Sequence, residues 1–174
     1  SHPHQEKTDV DKNMLYVHCR TTIDFLRTLV PYPVDLDVEN PDIFFVTAQT
    51  SGTGIGEYTS FKVLVPCEMN GIKCMFNALN ITDSSSTITC GRERLGQPHK
   101  YGHPKLEVCK DTIIGSVDYG SQTVAMSSMV FDANKLSKQQ TKSLVELPEL
   151  NLRVLPNVTG EVDIAQLVLM RYGK

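Results

Sequence analysis

The dipeptide Asn70-Gly71 constrains this chain more than any other feature. Both residues tolerate the left-handed backbone of a two-residue hairpin turn. The runs on either side, residues 58–66 and 72–80, are rich in β-branched and aromatic side chains, so they predict two antiparallel strands face to face. Cys67 and Cys74 bracket the same turn, and a hairpin brings their side chains within reach of a disulfide.

The rest of the chain reads in the same idiom. Short apolar runs at 14–20, 34–39, 42–49, 86–90, 106–109, 112–118 and 122–131 predict strands. Residues 150–155 and 161–170 flank Pro156-Asn157-Val158-Thr159-Gly160 and predict a second hairpin. Residues 21–30 space Ile23, Leu26 and Val30 as one helical face, and 135–147 reads as helix or loop. Strands with frequent turn signals and few helices predict an all-β antiparallel sandwich. With 174 residues the expectation is one domain over 14–174, preceded by a flexible segment, 1–13.

Charge narrows the partners. Seventeen basic and twenty acidic residues give a formal charge of −3 without a basic block, which leaves nucleic acid little to grip. No apolar run is long enough to cross a bilayer as a helix.

Cysteines and sequons predict the secretory route, with a secreted or lysosomal location. Cys90 and Cys109 enclose a loop carrying Gly91, Gly96, Pro98, Gly102 and Pro104, and a disulfide between them would add about 3 kcal/mol by restricting the unfolded chain. Cys19 is left over. Asn80-Ile81-Thr82 and Asn157-Val158-Thr159 are glycosylation sequons, so Asn80 and Asn157 are expected to carry glycans.

Catalytic and metal motifs are weak. Asp35, Asp37, Glu39 and Asp42 offer carboxylates without a calcium loop. The run from Ser51 to Gly56 is glycine-rich but lacks the lysine and helix of a phosphate loop. His99 and His103 lie four apart in a Gly/Pro-rich stretch, where that spacing does not define a shared helical face. No nucleophile elbow is present, and no catalytic residue, metal or cofactor is expected.

The run Phe61-Lys62-Val63-Leu64-Val65-Pro66-Cys67, followed after six residues by Cys74-Met75-Phe76, resembles the ganglioside activator proteins of the ML-type lipid-recognition superfamily. Tyr101-Gly102-His103-Pro104 between Cys90 and Cys109, and Leu147-Pro148-Glu149-Leu150 followed by Thr159-Gly160-Glu161-Val162-Asp163-Ile164, extend the resemblance. It departs where the family's amino-terminal cysteine finds its partner in the last strand: either Cys19 is unpaired or its partner lies beyond residue 174, and the sequence has no Trp.

The resemblance implies an immunoglobulin-like cup with an apolar cavity between its sheets and a non-enzymatic role. Such a carrier lifts a glycolipid or phospholipid from a transient membrane surface and presents it to a lipid hydrolase. An acyl chain in the cup gains about 0.8 kcal/mol per CH₂ buried. Candidate lining residues are Phe44, Val46, Phe61, Val63, Val65, Met75, Phe76, Val124, Met126, Met129, Val130, Phe131 and Leu152. Protonation of the five histidines in an acidic compartment would turn the net charge positive and favour anionic membranes. The alternatives are a secreted glycoprotein module that binds a protein partner through a surface patch, and a matrix protein linked through Cys19.

Overall fold

The computed structural model describes residues 11–131 and 137–171. In chain order the elements are β1 (Asp11–Arg20), α1 (Ile23–Leu29), β2 (Asp42–Ser51), β3 (Tyr58–Met69), β4 (Ile72–Thr82), α2 (Ser85–Leu95) and β5 (His99–Tyr101). They continue with β6 (His103–Cys109), β7 (Thr112–Tyr119), β8 (Gln122–Val130), α3 (Lys138–Val145), β9 (Glu149–Pro156) and β10 (Val162–Met170). The main sheet runs β1-β2-β3-β4-β9-β10, and β6-β7-β8 form a second, three-stranded sheet. The first four strands pair antiparallel. Along β4, two strands then pair in parallel at successive places, β9 beside Met75 and Phe76 and β5 beside residues 80–82.

Asn70-Gly71 turns as its chemistry demands, with φ of 53° and 76° and Met69 paired to Ile72. Alternation along β3 then sorts its side chains. Phe61, Val63 and Val65 enter the principal core with Ile43, Phe76, Ile81, Val117 and Leu150, while Ser60, Lys62 and Leu64 face the other side. On β4 the register slips once: Val63 opposes Leu79 and Leu64 opposes Asn77, so Ala78 is an extra residue. That bulge puts Asn77 and Asn80, three apart, on one face instead of opposite faces.

The lipid cup is not the observed fold. The small sheet lies directly on the main one: Val117 is fully buried, and a Cβ on Gly115 would come 2.7 Å from Thr47 Oγ1. No acyl-sized gap separates them there. Val124, Met126, Val130 and Phe131 point substantially to solvent and Met129 is half-buried, so this strand does not wall a cavity. Phe61, Val63, Val65 and Phe76 are ordinary core, Phe44 packs with Val46, Leu64 and Met75, and Leu152 is 37% exposed.

The disulfides are likewise absent, since all five cysteines are free. Cys67 and Cys74 are register partners, as the hairpin requires, but their sulfurs stand 3.5 Å apart as hydrogen-bonded thiols. That hydrogen bond, then burial, pushes the Cys67 thiol up. Cys90 and Cys109 are both exposed, and the segment between them needs no staple because α2, β5 and β6 organise it. Cys19 is half-buried against the principal core.

Two segments differ from expectation for local reasons. Residues 34–39 contribute only a bridge from Asp35 to Glu68, and Asp37 turns the chain by accepting the backbone N–H groups of Glu39 and Asn40. Residues 86–90 are helical: the Ser84 hydroxyl caps the Thr87 N–H, and Gly96 ends α2 at φ 70°. Residues 1–10 of the expected flexible segment lie outside the described residues, and 11–13 begin β1. Asn80 is 2% exposed in mid-strand, which leaves a glycan no room, whereas Asn157 sits in the exposed β9–β10 turn.

Candidate active site

The antiparallel registers, together with the parallel pairing of β5, align one row of residues across five strands: Tyr16, Val46, Lys62, Asn80 and His99. This row floors a cavity of about 350 Å³. Met14, Leu64, Met75, Leu95, Leu144 and Leu147 supply much of its apolar wall, and Lys12 reaches it from the edge strand. Of the residues expected to hold lipid, only Val46 and Met75 line this cavity. Its wall comes from the main sheet, α2, α3 and their connections, with no residue of the small sheet.

Charge is concentrated on the floor. Lys62 Nζ lies 2.6 Å from Glu149 Oε2, with the two side chains 19% and 5% exposed. Glu149 Oε1 accepts from the Asn77 amide at 2.9 Å and the Gln97 amide at 3.0 Å. This carboxylate starts β9, where the parallel pairing to Met75 carries it beside β4. Lys12 is held below the usual lysine range, first by burial and then by the Lys62 ammonium, with Glu149 opposing. Burial also raises the Tyr16 phenol.

His99 is 3% exposed, and its affinity for a second proton is pushed down to about 4 by burial and the Lys62 cation, with a smaller contribution from Arg92 and opposed by Glu149. The ring is neutral at neutral pH. Nε2 lies 3.0 Å from Gln97 Oε1 and 3.0 Å from Asn80 Nδ2, an acceptor and a donor. Glu149 decides between them. A carboxylate only accepts, so Gln97 turns its nitrogen to Glu149 and its oxygen to His99, which places the proton on Nε2. A half-turn of the Asn80 amide lets its Oδ1 share that N–H with Gln97 Oε1 and leaves the amide nitrogen without a partner in its place. Gly91 permits the arrangement, since a Cβ there would come 2.6 Å from Gln97 Oε1 and 3.0 Å from His99 Nε2.

The other candidate ligand sets stay apart. His103 is exposed on β6, edge-on to Tyr101. Asp42 accepts from Arg20 and pairs with His18. Among the described residues no group of three His, Cys, Asp or Glu side chains is placed to hold a metal ion. Sequence reasoning missed Lys12, Lys62 and Glu149 altogether. Lys62 enters there only as one residue of the strand that leads to Cys67, and its partner lies 87 residues away.

Comparison with known proteins identifies this architecture. The family profile described as acetoacetate decarboxylase (ADC) matches residues 1–174. The acetoacetate decarboxylase of Clostridium botulinum is 33% identical over 156 residues, which cover 90% of this chain and 62% of that protein. Of solved structures, one from structural studies of acetoacetate decarboxylase superposes with TM-score 0.85 at 31% identity, covering 94% of this chain and 66% of that one. The acetoacetate decarboxylase of Legionella pneumophila superposes with TM-score 0.83 at 28% identity, covering 92% and 63%. The chain thus spans about three fifths of the length of the curated relatives it matches.

These matches overturn the resemblance to ganglioside activators and, with it, the expected non-enzymatic lipid carrier. The glycolipid or phospholipid, the membrane surface, the partner hydrolase and the lysosomal glycoprotein character fall with that reading, as does the protein-binding module. The relatives are named acetoacetate decarboxylases, and the fold this chain shares with their solved structures has a mostly-β frame with supporting helices. The chain belongs to the acetoacetate decarboxylase family.

Proposed function

We propose that the cavity decarboxylates a short 3-oxo acid of the acetoacetate class through an imine on Lys12. One observation carries this: a lysine whose proton is destabilised by burial and by a second ammonium lines a small, mainly apolar cavity. A lysine amine attacks a carbonyl only when neutral, and desolvation or a neighbouring cation makes it so at ordinary pH, acetoacetate decarboxylase itself being a known case. Lys62 stays an ammonium beside Glu149, so it supplies the cation while Lys12 supplies the lone pair.

The chemistry follows from that division. Lys12 Nζ adds to the 3-oxo carbon, and loss of water leaves a protonated imine. The bond to the carboxylate carbon then breaks, its electron pair flows into the iminium to give an enamine, and carbon dioxide departs. The enamine carbon takes up one proton, and water hydrolyses the imine to release the ketone and restore the amine. Apolar walls assist the middle step, because a carboxylate is costly there while carbon dioxide is neutral. About 350 Å³ sits at the small end of ligand cavities, which suits a short acid.

The test is borohydride reduction in the presence of acetoacetate, followed by peptide mapping and assay of carbon dioxide release. Alkylation of Lys12 with loss of turnover, and an inactive Lys12→Met variant that still folds, are expected. Turnover that survives both borohydride and K12M would overturn the imine reading.

A further inference from the structure

The charge on the cavity floor is matched, Lys62 by Glu149, whereas much of the apolar wall stays wet. Met14 on β1, Leu95 on α2, Leu144 on α3, Leu147 just after it and Met170 on β10 all line the cavity, and each is only half-buried. They come from separate elements and meet one space. Apolar surface kept open to a cavity is a standing gain for any apolar group that dries it.

Position and length decide what fits. Lys12 shares a cross-strand row with Thr50 and Tyr58, and the next row on the same face holds Met14 and Ala48, so the apolar wall begins beside Lys12. From Tyr58 the lining runs along β3 through Ser60 and Lys62 to Leu64, about 20 Å of strand. Leu64 packs there with Val46 and Met75, and Leu144 and Leu147 lie against them. Acetoacetate bound at Lys12 covers little of that length. A second charge along the wall would be desolvated without a partner, whereas an alkyl chain costs nothing there. The carbon between carbonyl and carboxylate takes up the proton once carbon dioxide has left, so the chain belongs on the other side of the carbonyl.

We propose that this wall is an alkyl subsite, so that the cavity prefers a 3-oxo acid extended by a few methylenes beyond its carbonyl to acetoacetate itself. This rests on the imine reading above for its chemistry, and on the wetted apolar wall for its specificity. Each methylene taken from water into the wall raises kcat/KM about fourfold. The gain falls on KM rather than kcat, because an alkyl group remote from the reacting bond is held alike before and during the reaction.

The experiment compares kcat and KM for 3-oxohexanoate and 3-oxobutanoate. A preference of roughly tenfold in kcat/KM for the longer acid is expected, carried by KM and shrinking in Met14→Gln or Leu144→Gln, which keep side-chain length but make the wall polar. Equal kcat/KM for the two acids, or a preference for the shorter one, with borohydride trapping both on Lys12, overturns the subsite and leaves the imine intact. A preference unchanged in both variants also overturns it. Should neither acid be decarboxylated, the imine reading fails, and the methyl resonance of Met14 on adding 2-pentanone or acetone, the ketones the two acids would release, decides the subsite by itself. A response to 2-pentanone at concentrations where acetone gives none supports it, and equal responses or none overturn it.

Discussion

Replacing Glu149 by Gln tests whether the floor of the cavity is a desolvated ion pair. The substitution is nearly isosteric. Its oxygen can still accept from Asn77 and Gln97, as Glu149 Oε1 does, while its nitrogen lands where Oε2 faced Lys62 Nζ at 2.6 Å. Two donors then confront each other. At that distance and an effective dielectric near 20 the lost attraction is about 6 kcal/mol before desolvation offsets part of it. With side chains only 19% and 5% exposed, the net loss on breaking the pair from one side is about 3–4 kcal/mol. For a chain of this length that lowers the unfolding midpoint by roughly 10 °C. Circular dichroism serves as the assay, since the chain has no Trp to report by fluorescence. The decisive comparison is the double variant K62M/E149Q, which removes the stranded ammonium. It should be more stable than E149Q alone, with a coupling energy of about 2–3 kcal/mol in the cycle. Single variants that each cost under about 1 kcal/mol, and add, would refute the claim that this pair is desolvated.

Other consequences are open to direct measurement. Lys62 depresses the Lys12 proton affinity and Glu149 raises it, so the acidic limb of a kcat/KM profile moves to higher pH in K62M and to lower pH in E149Q; shifts of the same sign would contradict the assignment. Neutral His99 contributes stability that is full above pH 6.5 and is lost as pH falls towards 4, so the unfolding midpoint should drop across that window less steeply in H99Q than in the parent. Gly96→Ala should destabilise by about 3 kcal/mol, because it demands φ of 70° and puts a methyl 2.6 Å from the Arg153 Cα, read by urea unfolding. A thiol reagent should modify Cys90 and Cys109 in the native protein and reach Cys67 and Cys74 only on unfolding, with intact mass unchanged by reductant.

What the sequence discloses stops at the range of local chemistry. The Asn70-Gly71 hairpin and the Pro156–Gly160 turn are legible because the residues that make them are adjacent. Helix α2 announces itself only to a reader who weighs Ser84 and Gly96 as caps above the apolar and β-branched residues Ile88, Thr87 and Thr89 between them. Strand β5 has three residues and no alternation to betray it; it exists because its backbone pairs in parallel with β4, starting at Asn80. Cys67 and Cys74 show the opposite error. Their juxtaposition was legible, but adjacency of two thiols does not oxidise them.

The site lies beyond that range for a geometric reason. Its floor is a row across the sheet, so each member is separated from the next by the length of a hairpin or more, and nothing in any one strand marks the row. Register creates it. A slip of one residue between β2 and β3 would turn Lys62 into the principal core and bring Phe61 or Val63 to the cavity. The bulge at Ala78 is equally necessary, because without it Asn80 would leave the face that holds Asn77, and His99 would lose its neighbour. The apolar alternation of β3 therefore does two jobs: Phe61, Val63 and Val65 lock the register by their burial, and that same register delivers Lys62 to Glu149. A core substitution such as Val63→Asp would accordingly abolish the site without touching a residue that lines it.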